Sequence, residues 1–132
     1  GIPDKPHEFK KLVNESIGII ISLAEHNGSY TSAFKNIYDW ISVIETTVWS
    51  NKPLILLSTS DGQNAGKTVL QTALSRFSRQ SKQEIPHFSL PNFNENFSDT
   101  DGIINKKLSE ELDKQISIFS SQVDNLLYSS NN

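Results

Sequence analysis

Two short apolar runs decide what this chain can fold into. Residues 17–23 and 54–58 are rich in Ile and Leu. Each is followed by a polar, glycine-containing turn and then by apolar residues at helical spacing. Short runs without clean alternation mark strands covered on both faces, as in a parallel sheet. Parallel neighbours cannot be joined by tight hairpins, so the helix-length segments between the runs read as crossovers.

The rest of the chain fits that alternation. Pro3 and Pro6 mark an opening loop, and Phe9, Leu12 and Val13 give a first helical stripe over about residues 6–15. Thr31 or Ser32 can cap a second helix, whose stripe is Phe34, Ile37, Ile41 and Ile44 with Trp40 beside it. Asn51-Lys52-Pro53 breaks the chain before the second strand. Val69, Leu70, Ala73, Leu74 and Phe77 form a third helix. Residues 83–90 are expected to hold a third strand, interrupted or ended near Pro86, and residues 91–101 an ordered loop or excursion. Ile104, Leu108, Leu112, Ile116, Phe119, Val123 and Leu126 give a long amphipathic helix whose stripe should lie on the sheet. A coiled-coil seam is the sharper reading of that stripe, but the run is short for it. The fold class is therefore α/β with a parallel sheet, in one domain without internal repeats.

Composition narrows the chemistry. The formal net charge is −3 and no basic block occurs, so neither nucleic acid nor an acidic membrane is favoured. There is no cysteine, which excludes disulfides, thiolate metal sites and cysteine nucleophiles, and fits a cytoplasmic protein. No apolar run approaches the roughly 20 residues of a membrane span, and no signal peptide is seen. His7, His26 and His87 share no ligand spacing, so no metal site is expected. No nucleophile elbow is present, and no catalytic side chain is assigned. The chain has no methionine, and its opening Gly1-Ile2-Pro3 reads as the interior of a longer polypeptide.

Ligands of open α/β sheets bind beyond the carboxyl ends of the strands. Two turns lie there: Ala24, Glu25, His26, Asn27, Gly28 and Ser29 after the first run, and Ser60, Asp61, Gly62 through Ala65 after the second. Asn27-Gly28 is also a plain turn pair, and the second loop is also a plain strand-to-helix connection. The stretch Asp61–Thr68 invites a phosphate-loop reading. That pattern requires glycine five residues before Gly66, where this chain has Asp61; Gly62 comes one residue too late.

These motifs resemble the NADPH-dependent FMN reductase family. Its strand ends in Pro-Glu-Tyr-Asn and runs into a Lys-Asn-x-x-Asp-Trp helix. Here the counterparts are Ala24-Glu25-His26-Asn27 and Lys35-Asn36-Ile37-Tyr38-Asp39-Trp40, at matching separation. Ala24 replaces the proline and His26 the tyrosine. Asn51-Lys52-Pro53, a buried strand and Ser58-Thr59-Ser60-Asp61-Gly62 continue the likeness, which spans about residues 1–127. It implies a flavodoxin-like three-layer sandwich, incomplete at the N-terminus, with residues 1–132 as the C-terminal portion of one domain. It also implies FMN as cofactor and NADPH or NADH as donor. A quinone, free flavin or azo compound would be the small-molecule acceptor, and the assembly a homodimer or homotetramer.

The implied cofactor-binding residues are Ala24, Glu25, His26, Asn27, Gly28, Ser29, Ser60, Asp61, Gly62 and Ala65. Backbone N–H groups of the first turn would meet the acceptor rim of the flavin, with Gly28 allowing close approach. His26 would cover the ring or its edge. Glu25 would hold the turn, since a carboxylate is unfavourable beside a ring that gains negative charge. The alternatives are an electron-carrying, flavodoxin-like FMN-binding protein and a non-catalytic portion that keeps only fold and oligomer contacts.

Overall fold

The computed structural model describes residues 1–131. Helix α1 (Asp4–Glu15) starts from Pro3 and tolerates Pro6 in its first turn, where no intrahelical N–H is needed. Strand β1 (Ile19–Leu23) follows, then a two-rung hairpin of β2 (Glu25–His26) and β3 (Ser29–Tyr30). Helix α2 (Ser32–Ile44) is capped by Thr31, whose side-chain oxygen accepts the Phe34 N–H at 3.1 Å. Strand β4 (Leu54–Thr59), helix α3 (Lys67–Ser78) and strand β5 (His87–Leu90) complete the alternation.

The three long strands form one parallel sheet in the order β1-β4-β5. Leu23 pairs with Ser58, and Thr59 with Leu90, so the carboxyl ends of the strands finish side by side. Pro53 and Pro86 extend the ladder, their carbonyls accepting the N–H groups of Ile19 and Leu56. The core lies on the face carrying Ile21, Leu23, Leu54 and Leu56. There α1 contributes Val13, α2 contributes Tyr38 and Ile41, and α3 contributes Val69, Leu70, Ala73 and Phe77. Helix α5 (Lys106–Asn131) packs on the opposite face against β4 and β5. The result is a three-layer α/β sandwich of flavodoxin-like type.

Several expectations are corrected. Residues 17–23 do not make a strand covered on both faces: Ile20 is 66% exposed and Ser22 is exposed. Among the described residues β1 pairs with β4 alone, and Phe119 and Val123 of α5 lie over Gly18 just before it. The turn after β1 takes the form of the β2–β3 hairpin, and α2 begins directly after it. The third strand is only its second half, His87–Leu90. Residues 91–101 are not merely loop. They hold a one-turn helix α4 (Phe93–Asn96) and strand β6 (Phe97–Ser98), which pairs with β7 (Gly102–Ile103). Ile104 lies before α5 and is exposed, as is Ile116, so the α5 stripe is narrower than its apolar residues suggest.

One buried cation ties the helical layer together. Lys10 is 3% exposed, and its Nζ donates to the carbonyls of Thr47 and Val48 and to Ser50 Oγ, each at 2.8 Å. Glu45 supplies the counter-charge at 3.2 Å. Lysine is rarely this buried unless all its donors are used. Replacement of Lys10 by Met should leave two carbonyls and a carboxylate without their donor. Stability in urea should fall by about 2–3 kcal/mol; a loss below about 0.5 kcal/mol would mean that water replaces the ammonium freely.

Candidate functional site at the carboxyl ends of the strands

The parallel register sets the two strand-end turns next to each other. The first turn is the β2–β3 hairpin. Glu25 pairs with Tyr30 and His26 with Ser29, leaving Asn27 and Gly28 at the tip. Their φ angles are +52° and +76°. Positive φ at both central positions is the type I′ pattern, which Asn-Gly satisfies with little strain. A side chain at Gly28 would meet nothing within 4 Å, so the tip faces open space. Ala24, His26, Asn27, Gly28 and Ser29 are exposed, while Glu25 is half-buried.

The hairpin is held from behind by a file of aromatic rings. Tyr30, Phe34 and Tyr38 stand four residues apart and stack at 5.1 Å and 6.1 Å between successive centroids. Tyr38 then meets Trp49 and Phe77. That four-residue aromatic spacing is visible in the sequence and could have shown that the hairpin leans on α2.

The second loop is held on three sides. Buried Ser58 donates its hydroxyl to the Ala65 carbonyl at 2.7 Å, and its oxygen lies 2.8 Å from Ser89 Oγ. Thr59 donates to the Leu90 carbonyl at 2.7 Å. On the far side, the Asn92 and Phe93 N–H groups donate to the carbonyls of Gly62 and Ser60. Toward the hairpin, Asn64 Nδ2 donates to Glu25 Oε2 at 3.1 Å. Asp61 and Gly62 are exposed and Ser60 half-exposed. Ala65 is buried with φ +58°, so its part is to shape the loop rather than to offer a side chain. Lys67 is an exposed residue in the first turn of α3.

An apolar cavity of about 380 Å³ lies at the same strand ends, on the α5 side. Ser22, Leu57 and Leu90 form its floor, with Phe93, Phe97 and Leu112 around it. Phe93 and Phe97 stack at 4.8 Å. Residues 91–105 thus bring walls to the site that their Asn- and Ser-rich composition conceals. A wider hollow of about 730 Å³ follows the solvent-facing side of α3 past Lys67, Arg76 and Arg79, and it starts directly after the second loop. Among the described residues no group of His, Asp or Glu is arranged to hold a metal, and no helix is long and apolar enough to cross a membrane.

A family model described as NADPH-dependent FMN reductase matches residues 1–95. The chain belongs to this family. The match ends within the excursion after β5, short of the resemblance read over residues 1–127. Structural likeness continues further. FerB, a flavoenzyme NAD(P)H:(acceptor) oxidoreductase from Paracoccus denitrificans, superposes with a TM-score of 0.72 at 18% identity. The superposition covers 93% of this chain and 69% of that one. At such identity the likeness speaks for the shared fold. No curated protein matches the chain in sequence. In this FMN reductase family member the strand-end turns occupy the crevice where α/β sheets bind their ligands.

Burial raises the phenol of Tyr30 to about 12, with nearby Tyr38 adding to the rise and Arg76 opposing it. Tyr30 Oη is buried without a protein partner. An unfolded tyrosine ionises near pH 10, so the folded state keeps this proton longer. Stability from this group is therefore full below about pH 10 and is lost as pH rises toward about 12. Thermal melts of wild type and Tyr30→Phe from about pH 9 to 12 should show a shallower alkaline decline in the variant. Equal slopes would place the phenol in water.

Proposed function

We propose that the two strand-end loops form the ring-edge side of an FMN site in an FMN-binding oxidoreductase. The observation that carries this is the juxtaposition of the β2–β3 hairpin with residues 60–65, held together at the base of the hairpin where Glu25 accepts from Asn64. The residues fit the flat ring and not its phosphate. The Asn27-Gly28 tip faces open space with its backbone in positive φ, so turn amides are accessible to an acceptor rim. Neither residues 24–30 nor residues 60–66 contain Lys or Arg, and both turns carry a carboxylate. These turns therefore offer no cationic side chain to a phosphate.

Bound FMN would supply two-electron acceptance and release. The chain's own part is position and field. Asn27 can donate and accept from one side chain, and Gly28 permits close backbone approach. Fixed N–H groups aimed at an acceptor edge stabilise negative charge there without rearrangement. His26, exposed on the hairpin, offers a flat face. Ser60, Asp61 and Gly62 border the same crevice, and Ala24, Ser29 and Ala65 shape the turns. No protein acid, base or nucleophile is required, because the reacting rings need only be held together.

In its fuller form the reading is an NAD(P)H-dependent reductase. NADPH or NADH is the donor, and a quinone, free flavin or azo compound the acceptor. We place residues 1–132 as the C-terminal portion of one domain, supported by the unpaired outer edge of β1 and the exposed Ile20. Half-buried Trp40 and exposed Val43 on α2 suit a homodimer or homotetramer contact. The absence of Lys and Arg from both turns favours a second reading, an electron-carrying FMN protein without direct nicotinamide oxidation. A portion that keeps only fold and oligomer contacts is the third.

Anaerobic stopped-flow with the intact protein separates these. The reductase reading predicts that NADPH or NADH bleaches the absorbance of bound FMN within the instrument's time range. Firm FMN binding without bleaching assigns the carrier role, and no FMN binding leaves the scaffold role. The tip itself is tested by Gly28→Val. Positive φ makes a β-branched residue strained there by about 1–2 kcal/mol, although the space is open. FMN affinity should fall about tenfold or more while circular dichroism stays folded. Wild-type affinity in this variant would remove the tip from the site.

A further inference from the structure

Glu25 joins parts of the chain that lie about forty residues apart. Helix α3 lacks a side-chain cap of its own, because its N-cap is Gly66 in the left-handed region at φ +71°. A side chain there is excluded, since a Cβ would lie 2.9 Å from Ser58 Cβ. The cap comes instead from far up the chain. Glu25 Oε1 accepts the Val69 N–H at 2.8 Å, and Oε2 accepts Asn64 Nδ2 at 3.1 Å. The backbone of Glu25 is meanwhile fixed by its pairing with Tyr30 in the hairpin. One carboxylate thus joins three parts: the hairpin, the end of the second loop and the first turn of α3.

We propose that Glu25 is the positioning residue that sets the stance of the two turns toward each other and, through it, the fit and redox poise of the flavin ring. The proposal rests on the FMN reading above. Glu25 touches neither ring nor substrate in this role; it acts through Asn64 and the α3 terminus. Its charge is directed at the helix N-terminus, where an anion is stabilised by the aligned peptide dipoles. A carboxylate can therefore stand near a site that gains negative charge without opposing it fully. Reach and charge are separable. Asp keeps the charge but is one methylene short of Val69. Gln keeps the reach and an acceptor for the Val69 N–H, and Asn64 can turn its amide to meet the Gln amide.

Three variants, Glu25→Ala, Glu25→Asp and Glu25→Gln, test this in the intact protein. Urea midpoints serve as the check on folding, and Asp and Gln keep the test open should Ala unfold. Hydrogen exchange needs no flavin: the amides of residues 60–70 should exchange about tenfold faster in Ala and Asp, and within about threefold of wild type in Gln. FMN titration should show the same order, with Kd raised about tenfold in Ala and Asp and nearly restored in Gln. The midpoint potential of bound FMN should move in Ala and Asp, a change that a purely structural cap would not produce. Unchanged exchange overturns the clamp. Faster exchange with unchanged Kd and potential overturns the positioning role. Wild-type protein that binds no FMN overturns the flavin reading itself, whereas equal FMN binding by wild type and E25A overturns only the role given to Glu25.

Discussion

The parallel pairing of β1 with β4 is the constraint on which the other features depend. It sets Leu23 beside Ser58, so chain segments more than thirty residues apart leave the sheet at one level. Whatever follows those residues must share a crevice. The polar end of β4 then couples the crevice to the sheet. Ser58 joins its own loop to β5 through Ala65 and Ser89, and Thr59 reaches the Leu90 carbonyl. A buried hydroxyl must find a partner or cost stability, and here its partners are the groups that shape the loop.

The two faces of the sheet are finished differently. On one, three helices enclose Ile41, Leu56, Val69 and Phe77 completely, and Lys10 locks α1 to the segment after α2. On the other, α5 covers β4 and β5 while Ile20 and Ser22 stay open. The site therefore stands on a rigid helical layer at one side and beside an apolar cavity at the other. Rigid support matters wherever a bound group must be held in place, because misplacement of about 1 Å can cost two orders of magnitude in rate.

Much of this was legible in the residues. Helix and strand order, the Thr31 cap and the Asn27-Gly28 turn depend on neighbours within a few positions, and local pattern reports such neighbours well. Hidden features were those decided at long range. The burial of Lys10 needs carbonyls from residues 47 and 48. The Glu25 clamp needs Asn64 and Val69. Ile20 and Ile116 have the same character as the core isoleucines, yet both are exposed. The walls made by Phe93 and Phe97 were masked by the polar residues around them.

By itself the sequence determined an alternating α/β chain with two glycine-containing turns at strand ends, because hydrophobic period and turn chemistry are properties of short segments. Tertiary structure alone decided that those turns meet, that one carboxylate bridges them into the start of α3, and which apolar residues are core. These are matters of which surfaces come into contact. A side chain's burial and hydrogen-bond partners are set by residues forty positions away as much as by its own type.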